Sequence, residues 1–324
     1  MSQAPGWRPN SGPDTARLRA RMLTRARHFF AAAGVLEVDT PALSRAAVSD
    51  PHIESISASL SLDAQQRYYL HTSPEYFMKR LLCAGYPDIF QISKVFRDEE
   101  AGRFHQPEFT LVEWYRLDYG LEDMIEDTVA FIACLLDNEH LQSTPQHFSY
   151  SEAFHRFAKC DPFTAGIATL SDRAAASDSL RASLGQDRDA WLDLVLANTV
   201  VSGFALDKLT VVTHYPVRQA ALARQCPGNA GCADRFEIFL GRHELANGYV
   251  ELTDAKEHMR RFNRDQTLRQ SAGLVQRPID QDFIAAIEHG LPPCSGVAAG
   301  FDRLLMIRAG KHDIRRVQTF AFRE

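Results

Sequence analysis

The sequence lacks the long apolar segments that would place it in a membrane. No hydrophobic run approaches the ~20 residues that a membrane-spanning helix requires, and Met1 to Asp14 contain no apolar core of the kind found in a signal peptide. Cysteine is also sparse, because six cysteines are scattered along 324 residues and no CxxC pair occurs. These absences argue against a zinc site and predict a cytoplasmic protein with reduced thiols.

The sequence has no excess of positive charge either. Its 36 lysines and arginines are outnumbered by 41 aspartates and glutamates, which gives a net charge of −5. A protein that grips a long stretch of nucleic acid usually has a basic surface, so extensive contact with tRNA is not expected. Neither GxGxxG nor a P-loop motif occurs, and strands do not alternate with helices in a βαβ rhythm. A Rossmann fold and a P-loop fold are therefore excluded.

What the sequence contains is a 45% hydrophobic fraction, enough for a large core, and a pattern of helices and paired strands. A first helix is predicted over residues 15–33 and is ended by Gly34. Its apolar face consists of residues three or four apart: Leu18, Met22, Ala26, Phe29 and Ala33.

The remaining pattern favours an α+β fold with a central antiparallel sheet flanked by helices. Strands are predicted at 35–38, 68–71, 89–97, 108–116, 209–213, 236–240 and in the short apolar segment 297–301. Helices are predicted at 73–83 with Ser73 as its cap, at 121–136, at 280–289, and from Asp254 and Asp302 onward. Residues 140–210 favour helix and carry no motif. We expect an N-terminal arm over residues 1–14 and one domain over residues 15–324, with a helical insertion at 140–210.

The segment 90–116, FQISKVFRDEEAGRFHQPEFTLVEWYR, is the most informative one. Alternate residues of a strand share a face. The two predicted strands therefore present Gln91, Ser93, Val95 and Arg97 on one, and Phe109, Leu111, Glu113 and Tyr115 on the other. An arginine suits a phosphate oxygen, an aromatic ring suits a stacked base, and a carboxylate suits an ammonium group. Together they suit a nucleotide beside an amino acid, although the string alone would also suit an exposed, ion-paired hairpin.

A second element is the segment 244–251, ELANGYVE. Asn247 and Gly248 could form a two-residue hairpin turn, which would place Glu244 and Glu251 opposite each other. Alternatively the turn falls at residues 241–242, and Asn247-Gly248 is a bulge that returns both glutamates to one face. In either case two like charges converge, and Mg²⁺ on ATP phosphates would relieve their repulsion. Two exposed glutamates on a surface turn are the plainer alternative.

A third element is the segment 293–303, PCSGVAAGFDR. Small residues let a ligand approach the backbone closely. Asp302 is predicted to cap a helix with Arg303 in its first turn, and a helix N-terminus beside an arginine forms an anion site. The same small residues are also common at packed strand–helix junctions.

In this order, the segments resemble the class II aminoacyl-tRNA synthetases. GVLEVDTP, ending at Pro41, is similar to motif 1, which forms the dimer interface in that family. FRDEEAGRFHQPEFTLVEWY is similar to motif 2, and GVAAGFDRL to motif 3. HTSPEYFMKRL (71–81) and ELANGYVELTDA (244–255) resemble the lysyl branch. The resemblance covers about residues 7–320.

Two departures from lysyl-tRNA synthetase point to a related family. That enzyme has an N-terminal anticodon-reading domain, whereas here about 14 residues precede the first helix, so no tRNA anticodon binding is expected. Ala298 stands where the synthetase has glycine. Both features resemble the elongation factor P β-lysine ligases. The resemblance implies ATP and Mg²⁺ as cofactors, (R)-β-lysine as substrate, elongation factor P as acceptor and a homodimer through motif 1.

The resemblance also implies a role for each matched residue. The catalytic residues would be Arg97, Arg303 and Glu251. The ATP site would comprise Arg97, Asp98, Glu99, His105, Gln106, Phe109, Glu244, Leu245, Gly300 and Arg303, with Phe109 stacked on adenine against Arg303. The substrate site would comprise Ser73, Pro74, Glu75, Glu113, Tyr115, Asn247, Glu251 and Ala298. Glu244 and Glu251 would hold Mg²⁺.

Two other functions compete with this interpretation. The chain could be a truncated lysyl-tRNA synthetase or another amide-forming ligase that uses α-lysine. It could also be a non-catalytic, synthetase-like regulatory protein. Proteins of the latter kind typically lose a motif arginine or a metal carboxylate, whereas Arg97, Arg303, Glu244 and Glu251 are all present.

Overall fold

The computed structural model describes residues 7–98 and 100–322, which fall into two units. Unit 1 contains residues 7–118, 134–137 and 253–322, and unit 2 contains residues 119–133 and 138–252. No helix among the described residues is long and apolar enough to cross a membrane.

The elements are given in chain order. The first half contains α1 (Pro13–Ala32), β1 (Leu36–Glu37), β2 (Leu43–Ser44), β3 (Ser57–Leu60), β4 (Asp63–Leu70), α2 (Glu75–Cys83), β5 (Ile89–Phe96), β6 (Glu108–Leu117), α3 (Leu121–Leu136), α4 (His140–Ser143), β7 (Gln146–Ser149) and α5 (Tyr150–Ala153). The second half contains α6 (Ile167–Arg173), α7 (Asp178–Leu184), α8 (Arg188–Val195), β8 (Leu209–Pro216), β9 (Cys232–Leu240), β10 (His243–Val250), α9 (Ala255–Ser271), α10 (Gln281–Gly290), β11 (Cys294–Gly300) and α11 (Phe301–Arg308).

In unit 1 the strands β1, β5, β6 and β11 lie side by side in that order. The pairs β5–β6 and β6–β11 are antiparallel, whereas β1 runs parallel to β5. A separate antiparallel sheet has the order β2–β4–β3.

In unit 2 the order is β10–β9–β8–β7, and only the outer pair β7–β8 is parallel. The α+β class with a mainly antiparallel sheet and flanking helices is confirmed. The two parallel pairs were not predicted, because the strands of each pair are far apart in the sequence. The stretch 140–210 is helical as predicted, except for the missed strand β7.

The helix α1 packs on the strands of unit 1 through Phe30. The ring of Phe30 stacks on Phe90 of β5 at 4.3 Å between centroids and lies 5.2 Å from the ring of Trp114 on β6. The predicted apolar face is correct at Met22 and Ala26 but wrong at its end, where Phe30 is buried and Ala33 is exposed.

The first residues of α9 and α10 agree with the sequence-based prediction, and an aspartate caps each helix. The prediction differs at α2, where serine was expected as the cap. Asp254 caps α9 as predicted, and Asp280, at which the next helix was predicted to begin, caps α10. Ser73 does not cap α2. Pro74 occupies the cap position, because its carbonyl accepts the first helical hydrogen bond, from the amide of Met78 at 3.0 Å.

Candidate active site

The β5–β6 hairpin carries the first group of predicted site residues. Val95 pairs with Phe109, Ser93 with Leu111, Gln91 with Glu113 and Ile89 with Tyr115. The sets of alternating residues predicted to share a face are therefore cross-strand neighbours. Arg97 lies one residue beyond β5, where its amide still donates to the carbonyl of Pro107 at 2.9 Å.

A row of three side chains crosses unit 1 at Glu113. This glutamate on β6 pairs with Gln91 on β5 and with Ala298 on β11. The neighbours of Ala298 along β11, Val297 and Ala299, are buried, while Ala298 itself is only half-buried. The methyl group of Ala298 and the side chain of Glu113 therefore lie next to each other on one face of the sheet.

The carboxylates of this region are held by hydrogen bonds. The hydroxyl of Tyr115 donates to Oε1 of buried Glu113 at 2.8 Å. Glu75, in the first turn of α2, accepts from Nζ of Lys79 at 2.6 Å, and Lys79 is fully buried. Burial of an ammonium group requires such a partner, so Lys79 fixes the position of Glu75. Lys79 was not among the predicted site residues, although its i,i+4 spacing from Glu75 is a recognisable signal.

Arg97 is placed to meet an anion. Its guanidinium lies over the ring of Phe109 at 5.1 Å and donates to the carbonyl of Thr72 at 3.4 Å. Within the described residues it also makes a 3.4 Å contact with Glu100 in the hairpin loop. Long contacts of this kind leave the guanidinium available for a phosphate oxygen.

Arg303 and His105 come together from distant parts of the sequence. Nη2 of Arg303 and Nε2 of His105 are 2.8 Å apart. Arg303 is in the first turn of α11, and Gly300 occupies the cap position of that helix. A Cβ on Gly300 would make only ordinary contacts with Arg303, the nearest at 3.7 Å. The fold itself therefore does not require glycine here, whereas a ligand lying against the backbone would.

Other predicted ATP-site residues engage the protein backbone. Gln106 is buried, donates to the carbonyl of His105 at 3.0 Å and accepts from the amide of Phe322 at 2.9 Å. The amide of Asp98 donates to the carbonyl of Glu54 at 2.9 Å. Glu99 lies outside the described residues. Of the predicted substrate residues, Ser73 and Pro74 lead into α2 directly before Glu75.

The prediction that Asp302 caps α11 is wrong. Gly300 occupies the cap position, and Asp302 lies inside the first turn of the helix with its side chain buried. Its carboxylate accepts from Arg19 at 2.5 Å, from the amide of Thr110 at 2.9 Å and from Gln318 at 3.3 Å. Asp302 therefore attaches the helix that carries Arg303 to β6 and α1.

Unit 2 holds the second group of predicted residues on β10. The turn falls between Leu240 and His243, with Gly241 in the left-handed region at a φ of 55°. The prediction of a hairpin turn at Asn247-Gly248 is therefore wrong, and the alternative prediction of a turn at residues 241–242 is correct. A bulge is present, but it lies between Glu244 and Ala246 rather than at Asn247.

This bulge has the predicted effect of returning the two glutamates to one face. Glu244 pairs with Phe239, Asn247 with Glu237 and Tyr249 with Arg235, and these partners alternate along β9. Glu244, Asn247, Tyr249 and, two residues on, Glu251 therefore share a face. Nδ2 of Asn247 donates to the hydroxyl of Tyr249 at 3.0 Å on that face. Leu245 is the extra residue of the bulge, and its side chain is buried.

A third carboxylate, Glu237, was missed by sequence analysis. It is buried and accepts from Arg235 at 2.5 Å. Burial raises the pKa of Glu237 and the charge of Glu244 raises it further, while Arg235 opposes the shift. A buried carboxylate close to the charge of a second one is an environment in which a divalent cation is favoured. The available signal was three charged residues, Asp234, Arg235 and Glu237, within the mainly apolar strand CADRFEIFL.

Comparison with known proteins gives a consistent picture. A family model described as tRNA synthetases class II (D, K and N) matches residues 7–324. A protein of Proteus mirabilis named elongation factor P–(R)-β-lysine ligase is 41% identical, over 99% of this chain and 98% of its own length. Proteins of the same name from Haemophilus ducreyi and Photorhabdus laumondii are each 40% identical, covering 97% and 99% of this chain and 95% and 99% of their own length.

Proposed function

Because this chain belongs to the class II tRNA synthetase family (D, K and N), we propose that it is an ATP-dependent ligase for elongation factor P. In this proposal it activates (R)-β-lysine as its adenylate and transfers the β-lysyl group to a lysine of that factor. The relatives that share about 40% of its residues along nearly the whole chain carry the name of this reaction.

The observation that carries the substrate assignment is the position of Ala298. In (R)-β-lysine the amino group nearest the carboxylate is attached one carbon further along than in α-lysine. A methyl group directly opposite Glu113 fills the space beside the carboxylate that would bind an ammonium group. An α-amino group would therefore be crowded, whereas a β-amino group is displaced from the methyl.

The first step needs no covalent bond to the protein. A carboxylate oxygen of β-lysine attacks the α-phosphorus of ATP, and the bond to pyrophosphate breaks. Arg97 stabilises the negative charge that develops on the α-phosphate, while Phe109 stacks on adenine and Arg303 with His105 binds the phosphate tail. In the second step an acceptor lysine amine attacks the acyl carbon, AMP leaves, and the amine proton passes to solvent.

Mg²⁺ fits the donor set of β10. Glu244 and Glu251 share a face because of the bulge, and their oxygens are the ligands this hard cation prefers. When bound, Mg²⁺ would supply positive charge beside the phosphates of ATP. Asn247 on the same face presents an amide, and Ser73, Pro74 and Glu75 supply further polar groups for the substrate.

Three further assignments belong to this proposal. Residues 15–324 act as one synthetase-like catalytic domain with 140–210 as an insertion, preceded by an arm over 1–14. The reaction takes place in the cytoplasm, where ATP and elongation factor P are available. The protein functions as a homodimer through the segment 34–41.

The direct test is to incubate the full chain with ATP, Mg²⁺, (R)-β-lysine and elongation factor P, and to measure the mass of the factor by mass spectrometry. We expect the mass of one β-lysyl group to be added.

Arg97→Ala should lower pyrophosphate exchange by about 10²–10³-fold, as loss of a group stabilising transition-state charge does. Arg67→Ala, an exposed arginine on β4, is the control and should leave it unchanged. An unmodified factor, with tRNA charged by α-lysine instead, would identify a tRNA synthetase.

A further inference from the structure

A cluster of metal-ligand residues lies in unit 2 and takes no part in the proposed reaction. A ring nitrogen of His214, Sγ of Cys226 and a carboxylate oxygen of Asp234 all lie within 4.8 Å of one another. Cys226 and Asp234 are buried, and His214 is half-buried. Their residue types are the nitrogen, sulfur and oxygen donors that zinc accepts in proteins.

The backbone turns His214 towards this cluster. The register of β8 against β9 shifts between Thr213 and Tyr215, and His214 has a φ of 58°. The left-handed region is uncommon for a residue other than glycine, and a bulge changes the direction of a side chain. Nδ1 of His214 is hydrogen-bonded to Oγ1 of Thr213 at 2.8 Å. The other ring nitrogen, Nε2, is therefore the one available to a metal ion, and Thr213 fixes the ring as outer partners of metal-binding histidines do.

A tight loop brings a second thiol beside the first. The amide of Cys226 donates to the carbonyl of Cys232 at 2.9 Å, which closes the loop CPGNAGC at its base. Within the loop the amide of Gly231 donates to Asn229 at 3.0 Å. The thiols of Cys226 and Cys232 are close enough to share a hydrogen bond. Cys232 is thus next to the cluster, on the strand that also carries Asp234.

The cluster places a carboxylate beside a thiol and an imidazole. One oxygen of Asp234 is paired with Nε of Arg224 at 2.7 Å, so the other oxygen is available as a ligand. A divalent ion would take the place of the thiol proton, and that proton would be released to solvent.

We propose that His214, Cys226 and Asp234 bind one zinc ion, or a divalent ion of similar softness. Mg²⁺ and Ca²⁺ are disfavoured because they prefer oxygen ligands. The absence of CxxC argued against zinc, and the sequence could not show that a loop and two strands bring these three side chains together.

The site is connected to the carboxylates of β10 through a short stretch of backbone. The residues directly before Cys226 pair with the end of β10, since the amide of Arg224 donates to Val250 at 2.9 Å and Ala223 is bridged to Glu251. The amide of Asp234 donates to the carbonyl of Arg224 at 2.9 Å. A metal ion here would brace the segment 222–226 that supports Glu251, so its role would be structural.

The test uses the full chain, stripped of metal by a chelator under reducing conditions and then titrated with Zn²⁺ alone. We expect one equivalent to bind and the melting temperature to rise, and Co²⁺ should give a thiolate-to-metal charge-transfer band. These readouts do not depend on ligase activity, so failure of the proposed reaction would leave them unaffected.

Matched variants decide whether this cluster is the site. Cys226→Ser should abolish the bound equivalent and the Co²⁺ band, whereas Cys160→Ser, a buried cysteine elsewhere in unit 2, should keep both. Thr213→Val should weaken Zn²⁺ binding by about 10–100-fold, as removal of an outer partner does. If Cys226→Ser fails to fold, His214→Asn replaces it, because asparagine tolerates a positive φ.

Three results would overturn the proposal. They are the absence of binding by the wild-type chain, Zn²⁺ binding that persists in Cys226→Ser or His214→Asn, and a Cys226–Cys232 disulfide in the chain purified without reductant and still present after mild reduction.

Discussion

At the scale of single residues, the proposed selectivity depends on one methyl group. Ala298 faces Glu113 across a strand pair, and the hydroxyl of Tyr115 holds that carboxylate in place. Because the flanking Val297 and Ala299 are buried, neither can reach the same face. The space beside Glu113 is therefore controlled by the side chain at position 298.

We predict that Ala298→Gly relaxes discrimination between the two lysine isomers. Removing the methyl group should improve the use of α-lysine, narrowing the kcat/KM ratio of β-lysine to α-lysine by about 10-fold or more, since one methyl group in a pocket contributes roughly 1–3 kcal/mol. Pyrophosphate exchange with each isomer measures this ratio. Ala299→Gly makes the same change on the buried face and should leave the ratio as it was. An unaltered ratio in Ala298→Gly would remove this residue from the selectivity argument.

Alternation along β5 and β6 was enough to predict which side chains share a face, because the pleat of a strand is a local property. Local periodicity could not predict the contact between Arg303 and His105, since 198 residues separate them, and only the family resemblance placed both in one site. Lys79 and Glu237 are a different case. Each carries a sequence signal, but charged residues are usually exposed, and burial is known only once the fold is.

At the scale of elements, local turn preference failed on β10. Asn-Gly is a strong hairpin signal, yet Asn247 and Gly248 pair with Glu237 and Phe236 within a strand. The hairpin instead turns at Gly241, which the structure places at a positive φ. Pairing along all of β9 outweighs the preference of two residues, and the bulge then sets the positions of both glutamates.

The attachment of α11 is a buried ion pair, and we predict that Asp302→Ala destabilises the fold by about 3 kcal/mol. The change would leave Arg19 and the amide of Thr110 without their partner in a place where Asp302 is only 1% exposed. Chemical denaturation measures the free energy of unfolding.

The control for this prediction is an ion pair at the surface. Asp14 pairs with Arg17 at 2.8 Å within the first turns of α1, and both side chains are largely exposed. Asp14→Ala should therefore cost below about 1 kcal/mol. Equal losses in the two variants would show that Asp302 does not anchor the helix.

At the scale of the whole molecule, the sequence predicted the α+β class but not how distant strands pair. The hairpins follow from strands adjacent in the sequence, whereas the parallel pairs β1–β5 and β7–β8 join strands separated by other elements. The proposed zinc site is hidden for the same reason, because β8, β9 and a loop between them contribute its ligands.

The edge strand β1 bears on the oligomeric state. In unit 1, β1 is the outermost strand of its sheet, and Leu36 on it is 45% exposed. An apolar side chain on an edge strand favours association with another chain. The segment 34–41 that contains it is also the one that resembles the dimer-forming motif 1.

We predict that the chain forms a homodimer with about twice its 36.4 kDa mass, and that Leu36→Asp weakens it by about tenfold or more. A buried leucine contributes roughly 1.5–3 kcal/mol, and a charged replacement would also have to be desolvated. Light scattering across a concentration series measures the shift towards monomer. Leu62→Asp, at a position that is 96% exposed between β3 and β4, should remain dimeric. A wild-type chain that is monomeric at every concentration would rule out the dimer, and equal behaviour of the two variants would place its interface away from β1.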